Sequence, residues 1–426
     1  MTATRDFTPA NALSRRTMLL AAGGGAALVA PLVVPLAAPA LIRSAAAASP
    51  VRIGSLADLS GPTSTDSGMM TIYSAQLAIE DFGPTVLGRP IELLTADDQN
   101  KADVGSVIAR KWLDEDGAST IISNSFSPLG LAIKRMCQDR QKPFLMGSTA
   151  SSAFTQAECS PFTVAFGVNS YSMPKAVVTA MLEQKLDTWF FITTDYTFAH
   201  ALEADASSFV TAAGGKIIGA IRSPIGNPDF SAQLLQAQAS GAKVIGLAVQ
   251  GSDFQNVVKQ AFEFHITKSG QKVAALYTLD NQIIGAGLQN TANMSASSAF
   301  YWDMNDETRA YSQRIMKKSG GVPPTVAQVA GYSAMLHYLR AVQASGTLDG
   351  PTVVAAMKAT PINDFWSKNV KIREDGQAMR PMYLMRVKTP EESKSKYDIF
   401  EIKATIPPED AWKPLSESAC PFIRKT

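Results

Sequence analysis

The 426-residue chain has only three histidines and three cysteines, and they are scattered along its length. His200, His265 and His337 share no Cys/His/Asp spacing that would seat a metal ion, and His200 and His337 fall inside helical patterns. No metal and no cofactor is expected. An excess of charge is also missing: 39 Lys+Arg against 37 Asp+Glu leave a formal net charge of +2 and no basic run. Such a surface gives no electrostatic footprint for nucleic acid or an anionic membrane. The glycine patterns that cradle phosphates and dinucleotides are absent, since the loop after the first expected strand reads Asp58-Leu59-Ser60-Gly61-Pro62. There is no Gly-x-Ser-x-Gly, and Cys137 sits in a helical pattern without an evident base. A secreted enzyme is therefore a poor reading, and no residue is assigned as catalytic.

Long apolar runs are confined to the N-terminus. Ser14-Arg15-Arg16-Thr17 opens a Gly/Ala-rich apolar stretch to Ile42, followed by Arg43-Ser44 and the small residues Ala45 to Ala48. This is the layout of a twin-arginine export signal, with cleavage expected after Ala48. A retained anchor is disfavoured by Gly23 to Gly25, Pro31, Pro35 and Pro39, which weaken a continuous spanning helix. A lipid anchor would need a cysteine at the cleavage point, and the first cysteine is Cys137. The mature protein is expected to be soluble, monomeric and free in the periplasm. Without residues 1–48, Lys+Arg falls to 35 and Asp+Glu to 36, a net charge of about −1. The remaining 378 residues suggest about two domains. Cys137 reads as a buried thiol, while Cys159 and Cys420 lie in loop contexts; in an oxidising periplasm they are expected to pair.

After the leader, short β-rich runs alternate with helical patterns, the signature of parallel sheets with crossover helices. The first set comprises strands at Val51 to Leu56, Arg89 to Ala96, Thr120 to Ser123 and Pro143 to Met146, with helices between them. A second set follows from about residue 170, with strands at Thr188 to Thr193, Lys216 to Ile221, Lys243 to Val249 and Lys272 to Tyr277. The fold class is α/β, two doubly wound lobes. Beyond Phe300, helices are expected at Glu307 to Lys318 and Thr325 to Ala344, and a hairpin over Asn369 to Val387 around Glu374-Asp375-Gly376.

Three loops at the carboxyl ends of first-set strands are rich in hydroxyls and lead into helices: Thr63 to Gly68, Asn124 to Pro128, and Gly147 to Ser152. In open α/β sheets ligands bind at such strand ends, where helix N-termini offer free N–H groups to a carboxylate. The competing reading is that these hydroxyls merely cap helices. The second half places Asp195-Tyr196, Gln250-Gly251-Ser252 and Asp280-Asn281 at equivalent positions, and Tyr171 lies where the chain passes between halves.

Several stretches carry a resemblance: Val51-Arg52-Ile53-Gly54, Asp58-Leu59-Ser60-Gly61, Ala78-Ile79-Glu80-Asp81-Phe82, Val86-Leu87-Gly88-Arg89-Pro90-Ile91-Glu92, Asp195-Tyr196 and Asp229-Phe230-Ser231. Over the whole mature chain it resembles the type I periplasmic solute-binding proteins of ABC importers, the leucine/isoleucine/valine-binding group in particular. The resemblance implies two α/β lobes joined by a three-segment hinge: residues 49–168 plus 303–367 as lobe I, and 169–302 plus 368–426 as lobe II. It implies a small carboxylate-bearing ligand held between the lobes and permease membrane subunits as partners, with a ligand sensor reporting to a membrane receptor as the alternative. By position it implies ligand contacts near Asp66, Ser125, Ser127, Ser148 and Thr149 in the first lobe. In the second lobe they fall near Tyr171, Tyr196, Gln250 and Asp280. The surroundings of Asp280 depart from the amino-acid binders, and Phe126, Tyr171 and Tyr196 would suit a flat ring, so amides and aromatic acids stand beside amino acids as ligand classes.

Overall fold

A computed structural model describes residues 49–423; the expected leader lies outside them. The first sheet contains β1 (Val51–Ala57), β2 (Thr85–Val86), β3 (Arg89–Asp97), β4 (Thr120–Asn124), β5 (Phe144–Met146) and β6 (Thr163–Ala165), in the order β2-β3-β1-β4-β5-β6. All neighbours are parallel except the short β2. β1 and β4 are buried almost end to end, as strands covered by helices on both faces must be. The connecting helices are α1 (Gly68–Phe82), α2 (Ala102–Asp114) and α3 (Ser127–Asp139). The second sheet is fully parallel: β7 (Thr188–Thr194), β8 (Lys216–Ser223), β9 (Val244–Ala248) and β10 (Lys272–Ala275), ordered β10-β9-β7-β8. It is wound with α4 (Ser172–Glu183), α5 (Thr197–Ala212), α6 (Ser231–Ala239) and α7 (Gly251–Glu263), and β10 leads into α8 (Asp280–Ala286).

A third sheet departs from the sequence reading. β11 (Ser295–Ser298), β12 (Met382–Val387) and β13 (Phe400–Ile406) form an antiparallel sheet with β12 in the middle. The hairpin expected over Asn369 to Val387 is not formed as such. Its second half becomes β12 and pairs with distant segments, while the Glu374-Asp375-Gly376 turn closes a single bridge, Ile372 to Ala378. That turn is held by the first sheet instead: Gln377 bridges Ala165, and a Cβ on Gly376 (φ 86°) would lie 2.2 Å from the Thr163 carbonyl oxygen.

Two further helices, α9 (Leu288–Thr291) and α10 (Asp306–Lys318), precede α11 (Val326–Ser345). α11 is buried along most of its length and packs against α1, β4 and β5. The structure thus has two lobes, one around the six-stranded sheet and one around the second and third sheets. Cys159 and Cys420 are bonded, with Cα atoms 5.5 Å apart. Cys137 is fully buried, and burial pushes its thiol up to about 12, which leaves it inert. Among the described residues no helix is long and apolar enough to cross a membrane, and no cluster of metal-ligating side chains occurs.

Candidate functional site: the cleft at the strand ends

The carboxyl ends of β1, β4, β5, β7, β9 and β10 meet in one cleft. Its first-lobe wall begins with the loop after β1, which Asp58 organises. The Asp58 carboxylate accepts from the Thr63 amide (2.8 Å) and the Thr63 hydroxyl (2.7 Å). Only glycine fits at position 61, because a Cβ there would lie 2.6 Å from the Asp58 carboxylate. Asp97 anchors the same loop through the Leu59 amide (2.9 Å) and the Ser60 hydroxyl (2.6 Å). After β4, the Ser125 hydroxyl donates to Asp98. Burial raises the Asp98 carboxyl to about 6, against the lowering effect of the Ser125 and Asn100 donors. After β5, the Ser148 hydroxyl donates to the Asn124 carbonyl at 2.8 Å.

The cavity between the lobes is lined by Asp66, Ser125, Phe126, Ser127 and Ser148 on one side and by Tyr196, Phe198, Gln250 and Tyr277 on the other. Its four rings come from the segments that follow β4, β7 and β10, and Phe198 meets Tyr277 edge to face at 5.0 Å between centroids. The four lining residues Ser67, Phe126, Tyr196 and Gln250 are the N-caps of α1, α3, α5 and α7, and none of them caps its helix with a side chain. Four helix N-termini therefore meet at the cavity, a concentration of positive dipole ends suited to an anion, with the Gly251 amide of α7 already donating to Asp66. Among the loop hydroxyls the competing reading holds at Ser151, which caps a short helix by accepting from the Ala153 amide at 3.3 Å, whereas Ser125 and Ser148 donate to Asp98 and to the Asn124 carbonyl. The buried Tyr196 hydroxyl and Asn124 Oδ1 have no hydrogen-bond partner; buried polar atoms are ordinarily paired. No lysine or arginine lines the cavity.

Of the nine sequence-derived residues, Asp66, Ser125, Ser127, Ser148, Tyr196 and Gln250 line this cavity. The other three do not. The Thr149 hydroxyl turns into the sheet, donating to the Ser125 carbonyl (2.8 Å) beside the Ser123 hydroxyl (2.9 Å). Tyr171 packs edge to face on Phe209 at 4.8 Å, under Lys175 and Lys413. Asp280 is the first residue of α8; it is buried, its Oδ2 lacks a partner, and burial raises its carboxyl to about 7. Phe198 and Tyr277 escape the sequence reading, because each merges into an apolar helix or strand pattern; their place shortly after the ends of β7 and β10 is the available signal.

Residues 50–395 match the periplasmic binding protein family. The chain belongs to that family, whose members bind substrates for transport and are not enzymes. A periplasmic binding protein from Burkholderia mallei is 37% identical with a TM-score of 0.86, covering 88% of this chain and 100% of that one. A branched chain amino acid ABC transporter periplasmic ligand-binding protein from Burkholderia xenovorans is 38% identical, TM-score 0.78, covering 87% and 99%. An ABC transporter solute binding protein from Rhodopseudomonas palustris, solved with 3,4-dihydroxy benzoic acid, shares the fold at 21% identity and a TM-score of 0.75, covering 84% and 97%.

Proposed function

We propose that the protein captures a small aromatic acid between its lobes and delivers it to the membrane subunits of an ABC importer. The observation that carries this reading is the convergence of four helix N-termini, none capped by its own N-cap side chain, on a cavity walled by Phe126, Tyr196, Phe198 and Tyr277. The dipole ends and the Ser127 hydroxyl hold the carboxylate, and the rings sandwich a flat body. An amino acid fits less well. Its ammonium would need a free carboxylate, and both oxygens of Asp66, the one charged lining residue, already accept from Asn281 and Gln282. Asp280 lies outside the lining, and burial raises its carboxyl to about 7, so that it carries only part of a charge at pH 7. The Rhodopseudomonas protein holds a dihydroxybenzoate on the same fold.

The same reading makes residues 1–48 a twin-arginine leader and puts the mature chain in the periplasm, where closure of the lobes on the ligand is what the permease recognises. On this reading the third crossing between lobes moves from 367/368 to near Met382, supported by the bridge from Gln377 to Ala165 of the first sheet. A thermal-shift screen of the chain from Ser49 against benzoate, 4-hydroxybenzoate, leucine and a small amide tests the ligand class. At 100 times its dissociation constant a true ligand stabilises by about 2.7 kcal/mol. A shift with the benzoates and none with leucine is expected; the reverse would overturn the aromatic-acid reading.

A further inference from the structure

The one charged side chain in the cavity lining is not directed at a ligand. Asp66 is buried, its Oδ1 accepts from Asn281 Nδ2 at 2.7 Å, and its Oδ2 accepts from Gln282 Nε2 at 2.9 Å. The Gly251 amide also donates to it. Asp66 stands on the loop after β1 in the first lobe; Asn281 and Gln282 lie in the first turn of α8, and Gly251 begins α7, in the second. Around these bonds the backbones touch. Asn281 Nδ2 reaches the Thr65 carbonyl at 3.0 Å. Gly251 (φ 59°) approaches so closely that a Cβ would lie 2.9 Å from the Pro62 carbonyl oxygen. The first-lobe loop is thus fastened to the N-termini of two second-lobe helices. In this fastened geometry the cavity has a volume of about 30 Å³, room for two or three waters and less than a benzoate requires.

We propose that Asp66 is a positioning residue that clasps the two lobes in a form too narrow for ligand, so that ligand entry requires its bonds to Asn281 and Gln282 to part; the proposal rests on the reading of this cleft as the ligand site. Burial opposes the charge on Asp66 and raises its carboxyl, while the Asn281, Gln282 and Gly251 donors oppose that rise. The three second-lobe donors therefore stabilise the anion only while the lobes are together. A clasped fraction lowers apparent affinity in proportion, because only the parted fraction admits ligand. Weakening the clasp should speed association and tighten binding, the opposite of what loss of a ligand contact does.

The test uses Asn281→Asp, which sets a second carboxylate against Asp66, and Asn281→Ala, which only removes the donor. Neither variant alters a residue that lines the cavity. Gln282 is left intact because its Oε1 also accepts from the Leu279 amide at the start of α8. Spin labels at Lys101→Cys and Ile225→Cys, both exposed, report the separation of the lobes by pulsed electron resonance; the buried Cys137 stays unlabelled. With no ligand added, the label distance should lengthen in Asn281→Asp and less so in Asn281→Ala. The association rate for benzoate by stopped flow should rise about tenfold in Asn281→Asp, the scale of one bond to a charged group. An unchanged distance, or a slower association rate, would overturn the clasp. A longer distance with no benzoate binding by either wild type or variants would support the clasp and overturn the aromatic-acid reading.

Discussion

Asp280→Asn should make the protein more stable at pH 8 and leave it nearly unchanged at pH 4. The Asp280 carboxyl is buried, one of its oxygens has no partner, and its pKa rises from 3.8 to about 7 because burial penalises the charge. Below about pH 4 the group is neutral in both folded and unfolded chains and has no effect. Between about pH 4 and 7 the unfolded chain loses the proton and the folded one keeps it, so stability falls by about 1.36 kcal/mol for each pH unit. Above pH 7 the loss is complete, and the rise of the carboxyl from 3.8 to about 7 sets its ceiling at about 4 kcal/mol. Asparagine keeps the shape and never ionises, so it restores most of that. Urea unfolding of the wild type and Asp280→Asn at pH 4.5 and pH 8 reads the difference directly. A gain of at least 1 kcal/mol at pH 8 that shrinks severalfold at pH 4.5 is expected, roughly a quarter or more of the ceiling. Equal effects at both pH values, or a loss at pH 8, would refute the reasoning. Benzoate affinity should stay within about twofold, since the side chain lies outside the cavity lining.

Thr149→Val should lower the melting temperature by several degrees, because it strips a buried hydroxyl from the Ser125 carbonyl and Ser123 hydroxyl, at a cost of about 1–3 kcal/mol; an unchanged melting curve would mean that the hydroxyl is not structural. Replacing Cys159 and Cys420 together with alanine should destabilise by on the order of 3–5 kcal/mol, since the bond closes a loop with a sequence separation of 261. Calorimetric or denaturant unfolding of the double variant checks this, and a loss under 1 kcal/mol would contradict it. Lys in place of both Arg15 and Arg16 should hold precursor in the cytoplasm, and normal periplasmic yield would exclude the twin-arginine route.

The parallel sheets were legible because their strands are continuous apolar runs between helical patterns, so Val51–Ala57 and Thr188–Thr194 could be read with a one-residue difference at their ends. The third sheet was not. β11 and β12 are joined across a long stretch of chain that includes α11, and nothing local to Ser295–Ser298 marks it as a strand. In the cleft, the sequence indicated which loops reach the strand ends but not which way each side chain turns. Consecutive residues of extended chain point to opposite sides, and so Ser148 lines the cavity while Thr149 faces the sheet. In the first turn of α8, where successive side chains stand about 100° apart, Asp280 turns into the core and Asn281 to Asp66. Asp66 itself was legible as a cleft residue. Its engagement by the opposite lobe was not, because that depends on how α7 and α8 meet the loop after β1.

The most direct test is isothermal titration of the chain from Ser49, as wild type and as Phe126→Ala, with benzoate and with leucine. Phe126 both walls the cavity and stands at the N-terminus of α3. The expected result is one benzoate per chain, weakened at least tenfold by the loss of the ring, as removal of a packed aromatic contact implies, with no heat from leucine. Tight leucine binding that is indifferent to Phe126→Ala, together with no response to benzoate, would contradict the central claim.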